Sequence, residues 1–245
     1  KQTPADWKPE SELDRWILSE LNTLIEQVDG YLDGYDPTNA GRRLQEFIDQ
    51  LSNWYVRRSR RRFWKSENDV DKQSGYVTLH RCLVTVVKLM APLAPFVSEE
   101  IYQNLVCSMD ADAPDSVHLS DWPVVDGSAI DADLSDSFNL ARRLASLGRS
   151  ARASSRLKVR QPLAALLVDV RTDRERAFLP LIADQLKEEL NIKSVRDARE
   201  QGGLLSLSVK PNLPVLGPKY GRDLQKIRQA LETADPMDLV RASER

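Results

Sequence analysis

Histidine and cysteine each occur only twice in the 245 residues, as His80, His118, Cys82 and Cys107. Two cysteines cannot supply a four-cysteine zinc site, and neither histidine stands at ligand spacing from a cysteine or carboxylate, so no metal site is expected. Both cysteines lie in apolar stretches, where a free thiol behaves as a small core side chain. A disulfide is therefore not expected, and the chain is assigned to the cytoplasm. The longest apolar runs fall well short of the ~18 residues a membrane-spanning helix needs. Also missing are a phosphate-cradling glycine loop, a G-x-S-x-G elbow and an H-E-x-x-H zinc motif. The neighbouring acids Glu188 and Glu189 face apart on a helix and make a poor general acid/base pair. No catalytic residue is expected. A large excess of either charge is lacking too: the net charge is −2, so any nucleic-acid partner must be held by a local patch. The chain opens at Lys1 without an initiator Met or a signal core, which leads us to expect that it was cut from something longer.

What is present is helical periodicity. Leu13, Ile17, Leu21, Leu24 and Val28 follow the three-then-four spacing of an amphipathic helix beginning near Ser11. Gly30 and Gly34 mark its end, and Asp36-Pro37 has the form of an N-cap followed by a first-turn proline. A second apolar series, Leu44, Phe47, Ile48, Leu51 and Tyr55, predicts one helix running to about Lys65, about 40 Å long at 1.5 Å per residue. A third carries Leu79, Leu83, Val86, Val87 and Met90 and stops before Pro92. A fourth opens at Pro95. Short connections between four helices predict an antiparallel bundle.

Residues 108–133 are acidic and rich in breakers, which suits a long surface connection with one short extended piece at 116–119. A fifth helix is expected over 134–154. After Pro162 the period changes. Leu163 to Val170 is a nearly continuous apolar run, as in a buried strand. Leu179, Ile182, Leu186 and Leu190 mark a helix, Ile192 to Val195 a second strand, and Leu205, Leu207 and Val209 a half-buried third. A last helix begins near Arg222. The expected fold is thus mostly α: a helical bundle over 10–156 followed by a small α+β unit over 157–245.

One stretch is unusually basic, Asn53-Trp54-Tyr55-Val56-Arg57-Arg58-Ser59-Arg60-Arg61-Arg62-Phe63-Trp64-Lys65. At 100° per residue Arg57, Arg58, Arg61, Arg62 and Lys65 fall within one arc of about 140°. The planar fork of arginine donates two hydrogen bonds to a phosphate and never loses its charge. The wheel splits the stripe. Arg57, Arg61 and Lys65 recur every fourth residue and are expected to face RNA, whereas Arg58 and Arg62 extend the apolar face and are expected to be partly internal, paired with acids such as Glu99 and Glu100. Trp64 either stacks an unpaired base or packs on a neighbouring helix; the second is preferred here. A second basic group, Arg142, Arg143, Arg149, Arg152, Arg156, Lys158 and Arg160, leads into the α+β unit, and Lys158 and Arg160 are further RNA candidates. The plain alternative for both groups is a solvated or internally paired surface.

Seven strings occur in one order: 11–19 (SELDRWILS), 35–40 (YDPTNA), 53–64 (NWYVRRSRRRFW), 90–102 (MAPLAPFVSEEIY), 117–123 (VHLSDWP), 157–163 (LKVRQPL) and 188–193 (EELNIK). Together they resemble the region behind the catalytic core of the class I synthetases for isoleucine, valine and leucine. The Phe-Trp ending of the basic stretch is most similar to the isoleucyl-tRNA synthetases, and the last two strings to the branch shared by eukaryotes and some bacteria. The resemblance implies an anticodon-binding region that binds tRNA, isoleucine-specific, beside catalytic and editing domains on the same parent chain. The parent would use ATP and magnesium. Its His-Ile-Gly-His and Lys-Met-Ser-Lys-Ser signatures are not in this sequence, so those parts are expected before Lys1, and the family also continues past Arg245. A valyl- or leucyl-type synthetase, or a free-standing helical module binding RNA or protein, remains open on the residues alone.

Overall fold

The structure is a computed structural model and describes residues 9, 11–64, 69–170, 172–200, 220, 221 and 223–233. The expected strand at 205–209 and Lys65 lie outside the described residues. The chain divides into two compact units, residues 1–142 and 143–245, with the dividing line inside helix α6.

In the first unit α1 (Glu12–Asp33) is the central helix. Ser11 caps it by accepting the Leu13 N–H at 3.2 Å. Trp16, Ile17, Leu21, Leu24 and Val28 are buried as the spacing predicts, and so are Leu18, Ile25 and Asn22 on other faces. α1 is packed from several directions, not along one stripe. Asp36 caps α2 (Pro37–Gln50), accepting the Asn39 N–H at 3.1 Å. Arg43 Nε donates to Gln27 at 2.5 Å, and just beyond the end of α2 the Tyr55 hydroxyl reaches Asp14 near the start of α1, so α2 runs back antiparallel to α1.

The single long helix expected to Lys65 is interrupted. Leu51–Val56 form a π-helical turn before α3 (Arg57–Trp64). α4 (Val70–Met90) is capped by Asp69 and ends before Pro92, and α5 (Pro95–Tyr102) opens on its proline. The inner ridge of α4 is Ser74, Gly75, Thr78, Cys82, Val86 and Leu89; the expected Leu79 and Leu83 are only half-buried. Small residues therefore face the bundle, which brings α4 close to its neighbours. A secondary cluster of Val87, Ala91, Tyr102 and Val117 closes the side of α4 and α5.

The acidic connection contains a 3₁₀ turn at Val117–Leu119 in place of the expected extended piece. Glu99 explains this: it accepts the Ser116 hydroxyl at 2.7 Å and the Val117 N–H at 3.0 Å, pulling the chain into a turn. α6 (Ala132–Ser154) follows, and within the first unit its Phe138 ring stacks on Trp16, centroids 4.6 Å apart.

In the second unit β1 (Leu163–Val168) and β2 (Ile192–Asp197) pair in parallel from Leu163↔Ile192 to Val168↔Asp197. α7 (Asp173–Leu190) makes the crossover, with Leu179, Ile182, Leu186 and Leu190 buried as the pattern predicts. α8 (Leu224–Thr233) is the last described helix. The architecture is the expected one, a helical bundle and a small α+β unit.

Candidate tRNA-binding surface

The basic stretch lies on the π turn and α3. Closing bonds to the fifth residue, not the fourth, adds one residue to the turn and shifts the register of everything after it. The inward position therefore falls on Ser59, which is fully buried, and not on Arg58. Arg58 is half-exposed with its guanidinium 5.8 Å from the centre of the Trp54 ring. Sequence periodicity had no means of seeing this shift.

Arg62 turns inward, but to partners other than Glu99 and Glu100. Its two terminal nitrogens donate to the two oxygens of Asp14, both at 2.8 Å, and Nη2 also donates to the Asp71 carbonyl at 2.9 Å. Its Nε lies 2.8 Å from the Asp71 carboxylate. Asp14 is wholly buried and also accepts the Tyr55 hydroxyl at 2.7 Å and the Ser74 hydroxyl at 3.0 Å. One carboxylate thus joins α1, the π turn, α3 and α4. The expected partners are otherwise engaged: Glu99 with Gln103, Ser116 and Val117, and Glu100 with Asn104. Hydrogen bonding to Asp14, above all, raises the Arg62 pKa further, while burial and then the Asp14 charge push the Tyr55 hydroxyl up, keeping it a neutral donor. Gly75 makes room for this contact. A Cβ there would come within 3.1 Å of the Phe63 ring and 3.4 Å of the Arg62 guanidinium carbon. Sequence reasoning missed Asp14, although its signal is visible: an acid three residues before Ile17 and seven before Leu21, at the spacing of the buried face.

With α3 held by that pair, Arg57, Arg60, Arg61 and Trp64 are exposed. The Arg57 Nε donates to the Asn53 carbonyl at 2.7 Å. Trp64 is 73% exposed, and among the described residues it does not pack on a neighbouring helix as preferred from the sequence; the Arg60 guanidinium lies over its ring, 4.5 Å from the centroid.

The second basic group is broken up. Arg149 pairs with Glu189 at 3.1 Å, and Arg143 pairs with Glu175. Arg152 is 4% exposed and donates to the carbonyls of Lys158 and Gln161, each at 3.0 Å, and of Leu190 at 2.6 Å. It ties the end of α7 to the turn before β1. Asn191 adds bonds to the Val159 and Arg160 carbonyls at 3.2 and 2.9 Å. These inner bonds go to the turn's backbone, and the side chains of Lys158 and Arg160 project outward, exposed, in the second unit.

A family model described as the anticodon-binding domain of tRNA ligase matches residues 14–167, more than half of the sequence. The chain belongs to this family. The match begins on Asp14 and includes the whole basic stretch. Among similar proteins is the isoleucine–tRNA ligase of Dehalococcoides mccartyi strain CBDB1, 58% identical over 184 residues, which are 75% of this chain and 18% of that protein. The isoleucine–tRNA ligase of Clostridium novyi is 47% identical over 236 residues, 96% of this chain and 22% of that protein. That of Thermus thermophilus is 44% identical over 230 residues, 94% of this chain and 22% of that protein. The chain thus spans about a fifth of the length of the curated relatives it matches.

Among the described residues no helix is long and apolar enough to cross a membrane, and no group of three or more His, Cys, Asp or Glu is placed to hold a metal ion.

Proposed function

We propose that this anticodon-binding domain positions tRNA, isoleucine-specific, for a cytoplasmic isoleucine–tRNA ligase of which it is one part. The observation that carries the reading is the exposed row of Arg57 and Arg61 beside Trp64, on a helix fixed by the buried Asp14–Arg62 pair. A row of cations on a helix whose backbone is already ordered meets successive phosphates of an RNA backbone. Lys65 continues the row in sequence, and Lys158 and Arg160 add cationic side chains in the second unit. Trp64 takes an unpaired base on the ring face opposite Arg60. Arg62 serves as the clamp and not as a contact, and Arg58 shares its charge with Trp54.

The names of the relatives support isoleucine as the amino acid. Attachment of isoleucine with ATP and magnesium belongs to the catalytic part of the parent, which together with the editing domain is the partner of this domain within one polypeptide. The chain by itself holds tRNA and performs no chemistry. Nuclease footprinting of isoleucine tRNA by the 245-residue chain tests the reading. Protection of the anticodon arm is expected. Protection confined to the acceptor stem, or none, would overturn it.

A further inference from the structure

Gln45, Asp49 and Asn53 follow one another at four-residue intervals from α2 into the π turn, and so rise along one face. With Glu46, Ile48 and Arg142 they line a groove of about 630 Å³ in the first unit. Its groups are already set in place. The Asn53 amide donates to Asp49 Oδ1 at 2.5 Å, and the Asp49 side chain is exposed, so its carboxylate can accept further hydrogen bonds. The Asn53 carbonyl receives Arg57 Nε, so the groove adjoins the cationic row. At the back, with the Gln50 amide oriented so that both of its ends are satisfied, Gln50 accepts from Arg142 Nη1 at 2.9 Å and donates to Glu20 Oε2 at 3.1 Å, holding Arg142 against the groove. Ile48 is 41% exposed and supplies an apolar wall. A π turn interrupting a helix is itself a feature frequent at functional sites.

The chemistry of this lining selects its ligand. Glu46 and Asp49 outnumber Arg142, the one cation in the lining, so the groove is less suited to the RNA backbone than the neighbouring arginines are. A flat base can rest on Ile48 and give the hydrogens of an amino group to Asp49, as a carboxylate accepts from the amino group of cytosine in duplex recognition. Unpaired bases are read through such edges.

We propose that this groove reads one unpaired base of the bound RNA through an exocyclic amino group, with Asp49 as the acceptor and Gln45 and Asn53 completing the edge. The inference rests on the tRNA-binding reading above. It assigns base selection to α2 and the π turn, separate from backbone attraction on α3.

Fluorescence titration of the 245-residue chain with anticodon-arm hairpins, in which each loop base in turn is replaced by uracil, tests it. At one loop position the replacement should weaken binding by about tenfold, the discrimination expected of one well-placed edge contact. Asp49→Asn should reduce that difference to less than about threefold, while the dependence of affinity on salt stays as in the unchanged chain. Gln45→Ala should reduce it in part, and serves as the second variant if Asp49→Asn does not fold. Full retention of the base preference in both folded variants overturns the groove alone. A uniform loss for every hairpin together with a shallower salt dependence also overturns it, since that marks a backbone contact. Failure of the unchanged chain to bind any hairpin overturns both this inference and the reading it rests on.

Discussion

The guanidinium of Arg62 grips the carboxylate of Asp14 through two parallel hydrogen bonds of 2.8 Å. The Asp14 side chain is 0% exposed and that of Arg62 13%. Removing one member of such a pair strands the other charge in the interior, which costs about 3–5 kcal/mol. Asp14→Ala and Arg62→Ala should each lose stability of that order in urea unfolding. The double variant should lose less than the sum, because the two residues act as a unit. A loss below about 0.5 kcal/mol for Arg62→Ala, the range of plain surface changes, would mean that the pair does not hold α3.

Leu51 and Leu83 were both expected on inner faces, and the structure separates them. Leu51 is 5% exposed, whereas Leu83 is only half-buried. Leu51→Ala should cost about 2–5 kcal/mol, as for a buried leucine. Leu83→Ala should cost clearly less. Thermal unfolding of the two variants side by side decides it, and equal losses would contradict the placement of the α4 ridge on Thr78 and Cys82.

What was legible in the sequence is local. Ser11, Asp36-Pro37 and Pro95 mark helix starts through their own backbone chemistry, and each is found where expected. Met90-Ala91-Pro92 marks an end for the same reason. The change from helical to strand spacing after Pro162 needed no tertiary information. The failures depend on contacts distant in sequence or on a local change of helix register. Helical spacing cannot reveal the π turn at Leu51–Val56, because an added residue leaves no composition signal. It therefore gave no sign that Ser59 is the fully buried position beside a half-exposed Arg58. The partner of Arg62 lies 48 residues away on α1, beyond any wheel. On α4 the larger leucines drew attention away from a tightly packed ridge of small residues. The groove beside Asp49 likewise needs Arg142, brought alongside α2 only by the fold.

Glu99 offers a pH test of the acidic connection. Its bond from Gln103 first, and then that from Ser116, hold its carboxyl below the usual glutamate range. A depressed folded-state pKa stabilises the fold above the unfolded value, and that contribution disappears as pH falls through the folded value. The 3₁₀ turn at Val117 should therefore be intact at neutral pH and loosen only below the ordinary glutamate pKa of about 4.3. In NMR spectra the Val117 amide resonance should titrate with a midpoint under that value, and Glu99→Gln should remove the titration. A midpoint above it would contradict the hydrogen-bonding pattern.

The central claim is that the cationic row on α3 holds RNA phosphates. The measurement that tests it most directly is the affinity of the chain for isoleucine tRNA across a salt series, compared with a variant in which Arg57, Arg61 and Lys65 are all changed to glutamine. Each phosphate contact contributes a slope of about −0.7 to −0.9 to the plot of log affinity against log salt. The variant should bind every tRNA more weakly, with a slope shallower by about 2 to 3 for three lost contacts, while its thermal unfolding stays close to that of the unchanged chain. An unchanged affinity and slope accompanied by a fall in thermal stability would show that the row is structural, and would contradict the account.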